Sequence, residues 1–494
     1  MRKIVFYTLL LFMVLSCNVP LPGDCARNGE KPVIYPDYTD VAVPCNIAPL
    51  NYVIRNGADR YITCISSPSG EEVVCRGAEV LVNVDRWHSL LASASGKELE
   101  YRTFVERDGV WSELDTFKVR VAEETVDDYV TYRFLAPSYE FHSYLSIDQR
   151  NVTNFKSREL YHNRFEYTRT KQQCINCHSF QNYHTDKWQL HIRLVEPGTI
   201  IVNEGEGRKF NLKTEKTISG GFYPAWHPTE NLIVYSNNLV RQFFFARNSN
   251  RIEQQDSDSD LIMYDVDRNV ITSVSQDTAQ FETYPAWSPD GMMLYYSTAV
   301  QPELKELGSE ELGAEYDAFR YDIYRKPFDP STRTFGGAEM VMDAKSLDKS
   351  ALFPRISPDG RYMLIAVARF GSCHNYHRDS DLWLMDLETG ATGPLDVVNS
   401  DESDSYHNWS SNGRWIIFTS RRMDGVHTRI FMSYFDENGV AHKPFVLPQK
   451  DPEYYLKVFK SFSVPEPTVE PLHESLRQVR RIIAQDSEDA VFKE

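Results

Sequence analysis

One short phrase recurs four times in this chain. Tyr223-Pro224-Ala225-Trp226-His227-Pro228 is echoed by Tyr284-Pro285-Ala286-Trp287-Ser288-Pro289-Asp290-Gly291. Phe353-Pro354-Arg355-Ile356-Ser357-Pro358-Asp359-Gly360 and Tyr406-His407-Asn408-Trp409-Ser410-Ser411-Asn412-Gly413 follow. Pro-Asp-Gly and Ser-Asn-Gly are tight-turn signals, because Asp and Asn bond to nearby backbone and Gly supplies positive φ. An apolar strand follows each phrase: Leu232–Tyr235, Met293–Tyr296, Tyr362–Ile365 and Trp415–Phe418. A second echo, Ser259-Asp260-Leu261 and Ser380-Asp381-Leu382, marks a further strand. Each unit is therefore a small antiparallel sheet. The starts lie 61, 69 and 53 residues apart, so insertions fall in loops. Sheets repeated at this period build a β-propeller.

Four clear units leave room for more. Residues 128–165 and 186–215 can each supply one further sheet, so six blades are expected, although five or seven would also fit. Before them, residues 26–125 alternate apolar and polar in short runs broken by Ser67-Pro68-Ser69-Gly70, Ser95-Gly96 and Asp108-Gly109. That pattern predicts a β-sandwich of the immunoglobulin or fibronectin kind. If Ser69-Gly70 is a two-residue hairpin turn, Cys64 faces Cys75, close enough for a disulfide. Apolar residues at Leu472, Leu476, Val479 and Ile483 have helical spacing. The predicted parts are a leader at 1–17, a sandwich at 18–125 and a region contributing the first blades at 126–215. The repeats proper cover 216–460, and a tail with a helix covers 461–494.

Cys174-Ile175-Asn176-Cys177-His178 constrains the chemistry most. C-x-x-C-H is the attachment signature of a c-type haem: two thiolates add to two vinyl groups, and the adjoining imidazole binds iron. With 8 Cys and 13 His in 494 residues, chance gives about 0.003 such motifs. A zinc site needs four ligands, and no second Cys-x-x-Cys exists. The same pair of cysteines could also form a redox dithiol or an ordinary disulfide. Cys174, Cys177 and His178 are thus the expected haem c ligands, with iron on His178. His191 is the first choice for the sixth iron ligand, ahead of His184 and His162. Two filled axial positions favour electron transfer, whereas an open one permits peroxide or small-gas chemistry. Asp256–Asp260 lacks the Gly and distal Glu of a calcium loop and reads as a turn within a repeat. Cys373-His374-Asn375-Tyr376-His377 carries metal-ligand residue types but reads equally as a free thiol in a loop.

Arg2-Lys3 followed by an apolar run to Leu15 is a secretory leader, too short to span a membrane. Its ending, Val14-Leu15-Ser16-Cys17, resembles a bacterial lipobox, which implies lipidation of Cys17. The Pro-Ala-Trp-Ser-Pro-Asp-Gly units, with Ser380 to Gly390, resemble the propeller repeats of TolB over about half the chain. Lipobox, sandwich, haem motif and repeats together resemble bacterial TolB-like lipoproteins, some of them labelled cytochrome proteins. The resemblance implies a six-bladed propeller of the cell envelope with a haem-motif insertion.

A net charge of −17 argues against nucleic acid and anionic lipid surfaces as partners. The membrane is expected to be reached only through the lipid anchor, on the periplasmic face of the outer membrane. Two functional classes follow. One is a monohaem electron carrier with an envelope redox partner. The other is a non-catalytic, TolB-like interaction scaffold without functional haem. Any enzymatic role would be haem-based redox chemistry; no hydrolase or phosphate-loop motif occurs.

Overall fold

The computed structural model describes residues 21–23, 25–136, 144–165, 172–244, 252–275 and 279–493. Cys17 lies outside them. The chain is mainly β, and the expected propeller is its dominant feature.

Six antiparallel sheets follow one another around an axis. Blade 2 runs Gln173–Gln181, His184–Leu194, Gly198–Asn203, Glu206–Asn211, and blade 3 runs Phe222–Trp226, Leu232–Phe244, Ile252–Asp265, Val270–Ser273. Blade 4 has Gln280–Trp287, Met293–Val300 and Asp322–Asp329, with Thr334–Phe335 and Glu339–Met342 outside. Blade 5 comprises Ser350–Ile356, Tyr362–Ala368, Asp381–Asp386 and Thr392–Pro394. Blade 6 comprises Asp404–Trp409, Trp415–Ser420, Arg429–Tyr434 and Phe445–Val446. Blade 1 takes Tyr129–Leu135, Leu145–Asn151 and Ser157–His162 from before the repeats and Ser461–Thr468 from after them. The first strand of each of blades 2 to 5 packs on the first strand of the next, and Ser461–Thr468 touches both blade 6 and blade 2. The ring is closed, and a late segment closes it.

That strand corrects one expectation. Residues 461–494 read as a tail because Pro465-Glu466-Pro467 resembles a break. Proline removes only one ladder donor and is tolerated at a bulge, and Tyr129–Leu135 pairs with this segment from Leu135↔Ser461 to Tyr129↔Thr468. The helical spacing does yield a helix, Leu476–Ile483, capped by the Ser475 side chain, with Val479, Ile482 and Ile483 buried. Beyond it Glu488–Asp489 and Val491–Phe492 add short parallel strands to blades 2 and 3. The haem motif is also no insertion: it is the first strand of blade 2.

The turn chemistry works as read. Ser288 Oγ donates to Asp290 Oδ1 (2.5 Å) and accepts from Met293 N (2.9 Å), while Gly291 sits at φ 72°. Ser357 and Ser410 repeat this with Asp359 and Asn412. The repeated tryptophan bonds across blades. Trp287 Nε1 donates to Ala225 O (3.1 Å) and Trp409 Nε1 to Arg355 O (3.0 Å).

The N-terminal part carries a six-stranded sheet and the three-stranded sheet Ile34–Tyr35, Tyr52–Ile54, Glu79–Val80. A helix, Val84–Ser93, that strand alternation does not announce starts at the Asn83 cap and buries Trp87, Leu90 and Leu91. One apolar core runs from this part into blades 1, 5 and 6, joining Trp87 and Leu99 to Trp415 and Phe431.

The Cys64–Cys75 pairing is corrected by register. Ser67 N bonds to Glu71 O (2.9 Å), so three residues, not two, form the turn. Cys64 pairs with Val74 and Thr63 with Cys75. A one-residue slip puts the two side chains on opposite faces. Cys64 Sγ reaches Glu72 Oε2 (3.6 Å) and Cys75 Sγ reaches Leu81 O (3.6 Å); both are free thiols.

Candidate functional site: the inner strand of blade 2

Cys174, Ile175 and Asn176 pair regularly with Arg193, Ile192 and His191. The register then slips, and Ser179 resumes opposite Gln189. The slip is a β-bulge containing Cys177, whose φ is 55°, and His178.

Every blade has this bulge in its innermost strand. The residues with positive φ are Cys177, Tyr223, Tyr284, Phe353, Tyr406 and Val464, all between 46° and 56°. Each sits at a register shift against the neighbouring strand. Non-glycine residues with positive φ are uncommon, and a β-branched one such as Val464 is an outlier. Six at one topological position are a property of the fold. Their aromatic members meet around the axis with their rings tilted on one another. Tyr223 and Tyr284 lie 4.4 Å apart by ring centroid, Tyr284 and Phe353 4.0 Å, Phe353 and Tyr406 5.2 Å. Cys177-His178 is thus the second blade's equivalent of Tyr223-Pro224, Tyr284-Pro285, Phe353-Pro354 and Tyr406-His407.

The two cysteines turn toward blade 3. Arg193 Nη2 donates to Cys174 Sγ at 3.3 Å, and the guanidinium stacks on Phe222 at 5.2 Å. The Cys177 thiol lies against the Tyr223 backbone; burial pushes its pKa up, against that backbone contact and Arg193. His178 turns the other way. It lies against the backbone of Thr131 and Val464 in blade 1, is 2% exposed, and burial pushes its pKa down to about 4. Neither ring nitrogen reaches hydrogen-bond geometry. His407 repeats this arrangement without any cysteine. It lies by Phe353 and Leu364 of blade 5, has neither nitrogen bonded, and burial pushes its pKa down to about 3.

A c-type haem needs both thiols on one ring edge and the imidazole beneath the same ring. An extended strand separates residues three apart by about 10 Å, and here thiols and imidazole face different blades. An unbonded neutral imidazole suits an iron ligand, but His407 shows that the repeat position alone produces it. In this arrangement the residues do not fit the group. Nor does the spacing suit a local disulfide, which needs Cα atoms within about 4.4–6.8 Å.

His191 stands in the second strand of blade 2, with Nδ1 on Thr199 Oγ1 (3.0 Å) and its ring edge-on to Phe222 (5.6 Å). Burial and Arg193 push its pKa down to about 3. It shares the blade 3 side with Cys174, so it and His178 do not converge. His184 is exposed beside Glu470, and His162 stacks on Phe165.

Asp256–Asp260 is no turn; it lies within the strand Ile252–Asp265, where Asp256 accepts from Asn238 (2.9 Å) and Tyr321 (2.8 Å). Cys373 is buried with its sulfur on Asn375 Oδ1 (2.7 Å) and Gln254 Oε1 (3.1 Å). Beside it His377 Nε2 meets Glu253 Oε2 at 2.7 Å, both side chains fully buried. Among the described residues no three His, Cys, Asp or Glu side chains are grouped to hold a metal ion. Sequence reading misses the role of Arg193 over the thiols, because a guanidinium nineteen residues from Cys174 is placed only by the hairpin register. Its position in the strand alternation from Trp188 to Arg193 is the one signal that points to it.

No family model matches this chain, and no curated protein matches it. Solved structures that resemble it weakly include three of different kinds. An ACO/RPE65 chimera is 11% identical, with a TM-score of 0.38 over 89% of this chain and 97% of that one. Oligogalacturonate lyase from Vibrio parahaemolyticus is 12% identical, TM-score 0.33, over 84% and 100%. Prolyl oligopeptidase B from Galerina marginata is 11% identical, TM-score 0.35, over 79% and 54%. Likenesses this distant carry no argument about activity, so the reading of this chain rests on its own ring.

Proposed function

We propose that this protein is a lipid-anchored propeller of the cell envelope that works by binding a partner protein. The supporting observation is the filled axis: Tyr223, Tyr284, Phe353 and Tyr406 pack against one another where the six inner strands meet. A ring filled at its centre offers its faces to other molecules. The net charge of −17 favours a basic partner surface. Cys17 would carry the lipid.

Cross-linking in living cells followed by capture of the tagged full-length chain tests this reading. One partner should be trapped in constant ratio, and Cys17→Ser should release the chain from the membrane fraction. A chain that stays uncross-linked in the envelope defeats the partner reading. The competing reading, an electron-carrying monohaem cytochrome with a redox partner, rests on the five-residue motif. It requires a reduced absorption band of c-type haem in material matured with haem-attachment machinery.

A further inference from the structure

The fold itself accounts for Cys177 and His178, and this does not depend on the partner reading. Blades 3, 4 and 5 place an aromatic residue and then proline at the bulge; blade 6 places Tyr406-His407, and blade 1 places Val464-Pro465. The first residue of each pair takes positive φ, and in blades 3 to 6 its ring joins the cluster of tilted rings around the axis. The second residue of blades 2 and 6 is a histidine wedged against the backbone of the preceding blade, His178 on Thr131 and Val464, His407 on Phe353 and Leu364. Proline in four blades shows that the fold needs no backbone N–H there. Histidine is therefore a filler at this position, and cysteine at 177 is a small residue where the aromatic cluster ends. Cys174 is separately accounted for, as the acceptor of Arg193 within the regular ladder.

We propose that Cys174-Ile175-Asn176-Cys177-His178 is the second blade's copy of the propeller bulge and that the folded protein carries no haem on it. The motif's two sulfurs face blade 3 while its imidazole is held by blade 1. Ser461–Thr468 supplies Val464 to that grip, so closing the ring seals His178. The Cys-x-x-Cys-His spelling then arises from a ladder position, two spacers and a bulge pair.

Two measurements decide this. The full-length chain is expressed in the envelope together with haem-attachment machinery, and its intact mass and visible spectrum are recorded. The expected mass is that of the chain with two free thiols at 174 and 177, both alkylated after denaturation, and no haem absorbance. An added mass of one haem with a reduced α-band overturns the proposal, and so does a loss of two hydrogens from a bridge between the two sulfurs. The paired variant Cys177→Tyr/His178→Pro, which writes blade 3's phrase into blade 2, is expected to fold with a melting temperature within a few degrees of wild type. A melting temperature lowered by tens of degrees overturns the bulge equivalence. The mass of the wild-type chain decides the haem question even if that variant fails to fold. Partner capture reads neither result, so the two proposals fail separately.

Discussion

Trp409 of blade 6 donates its indole N–H to the backbone carbonyl of Arg355 in blade 5, at 3.0 Å, with the ring fully buried. This bond converts a repeated tryptophan into a joint between blades. Trp409→Phe keeps most of the apolar contact and leaves the carbonyl without its donor. A loss of about 1–3 kcal/mol is expected, read as a lower midpoint in urea with an unchanged slope. A midpoint equal to wild type would show that the bond contributes nothing.

Gly291 is held by its neighbour. At φ 72° it approaches His227 so closely that an added Cβ would collide with the imidazole at Nε2, which itself meets Gly291 O at 3.1 Å. Gly291→Ala should cost about 1–3 kcal/mol through strain and displacement of His227. Gly360→Ala is the control: the same turn at φ 77° has nothing within 4 Å of the added atom. Thermal melts should rank Gly291→Ala well below Gly360→Ala.

Acid should weaken the protein from about neutrality downward. His178, His191 and His407 have pKa values of about 4, 3 and 3, all lowered chiefly by burial. Unfolded, each binds a proton near pH 6.5. Between these limits the unfolded state holds more protons, so stability rises with pH and is lost as pH falls from about 6.5 toward 3. Each histidine adds up to about 1.4 kcal/mol per pH unit to that slope. His407→Pro, which restores the residue found at this place in blades 3, 4 and 5, should leave the melting temperature at pH 7.5 nearly unchanged and flatten the profile between pH 6 and 4. An unaltered slope would mean that His407 is charged in the folded state.

The Glu253–His377 pair ties the long blade 3 hairpin to the loop after Tyr362–Ala368. Glu253→Ala leaves the buried imidazole without its hydrogen-bond partner at 2.7 Å, for an expected loss of about 1–3 kcal/mol. Hydrogen exchange should quicken first along Ile252–Asp265. Uniform exchange across the ring would argue against a local tie.

Cys64 and Cys75 should both be alkylated under non-reducing conditions once the chain is unfolded. A peptide bridging them would contradict the register Cys64↔Val74.

Much of the propeller is legible in the sequence because turn chemistry is local. Ser288-Pro289-Asp290-Gly291 closes its own hydrogen bonds within six residues, so its repetition announces sheets wherever it falls. The strand Ser461–Thr468 is not legible, since its partner Tyr129–Leu135 lies more than 300 residues away and its prolines mimic a break. The Cys64–Cys75 pairing fails for a related reason: one extra turn residue reverses a face, and Pro68-Ser69-Gly70 permits either length. The five-residue motif suggests ligands gathered on one turn of chain because spacing says nothing about side. Only the ladder shows that Cys177 and His178 look toward different blades.

Closure by Ser461–Thr468 has a consequence for biosynthesis. A nascent chain emerging residue by residue presents the four antiparallel strands of blades 2, 3, 5 and 6 and all of blade 4 while the hydrogen-bonding edge of Tyr129–Leu135 is still bare. Until Ser461–Thr468 is released, that edge is open to strands of other unfinished copies. Stalled or truncated products should therefore aggregate rather than persist as partial toroids, and holdase chaperones would matter most in that interval.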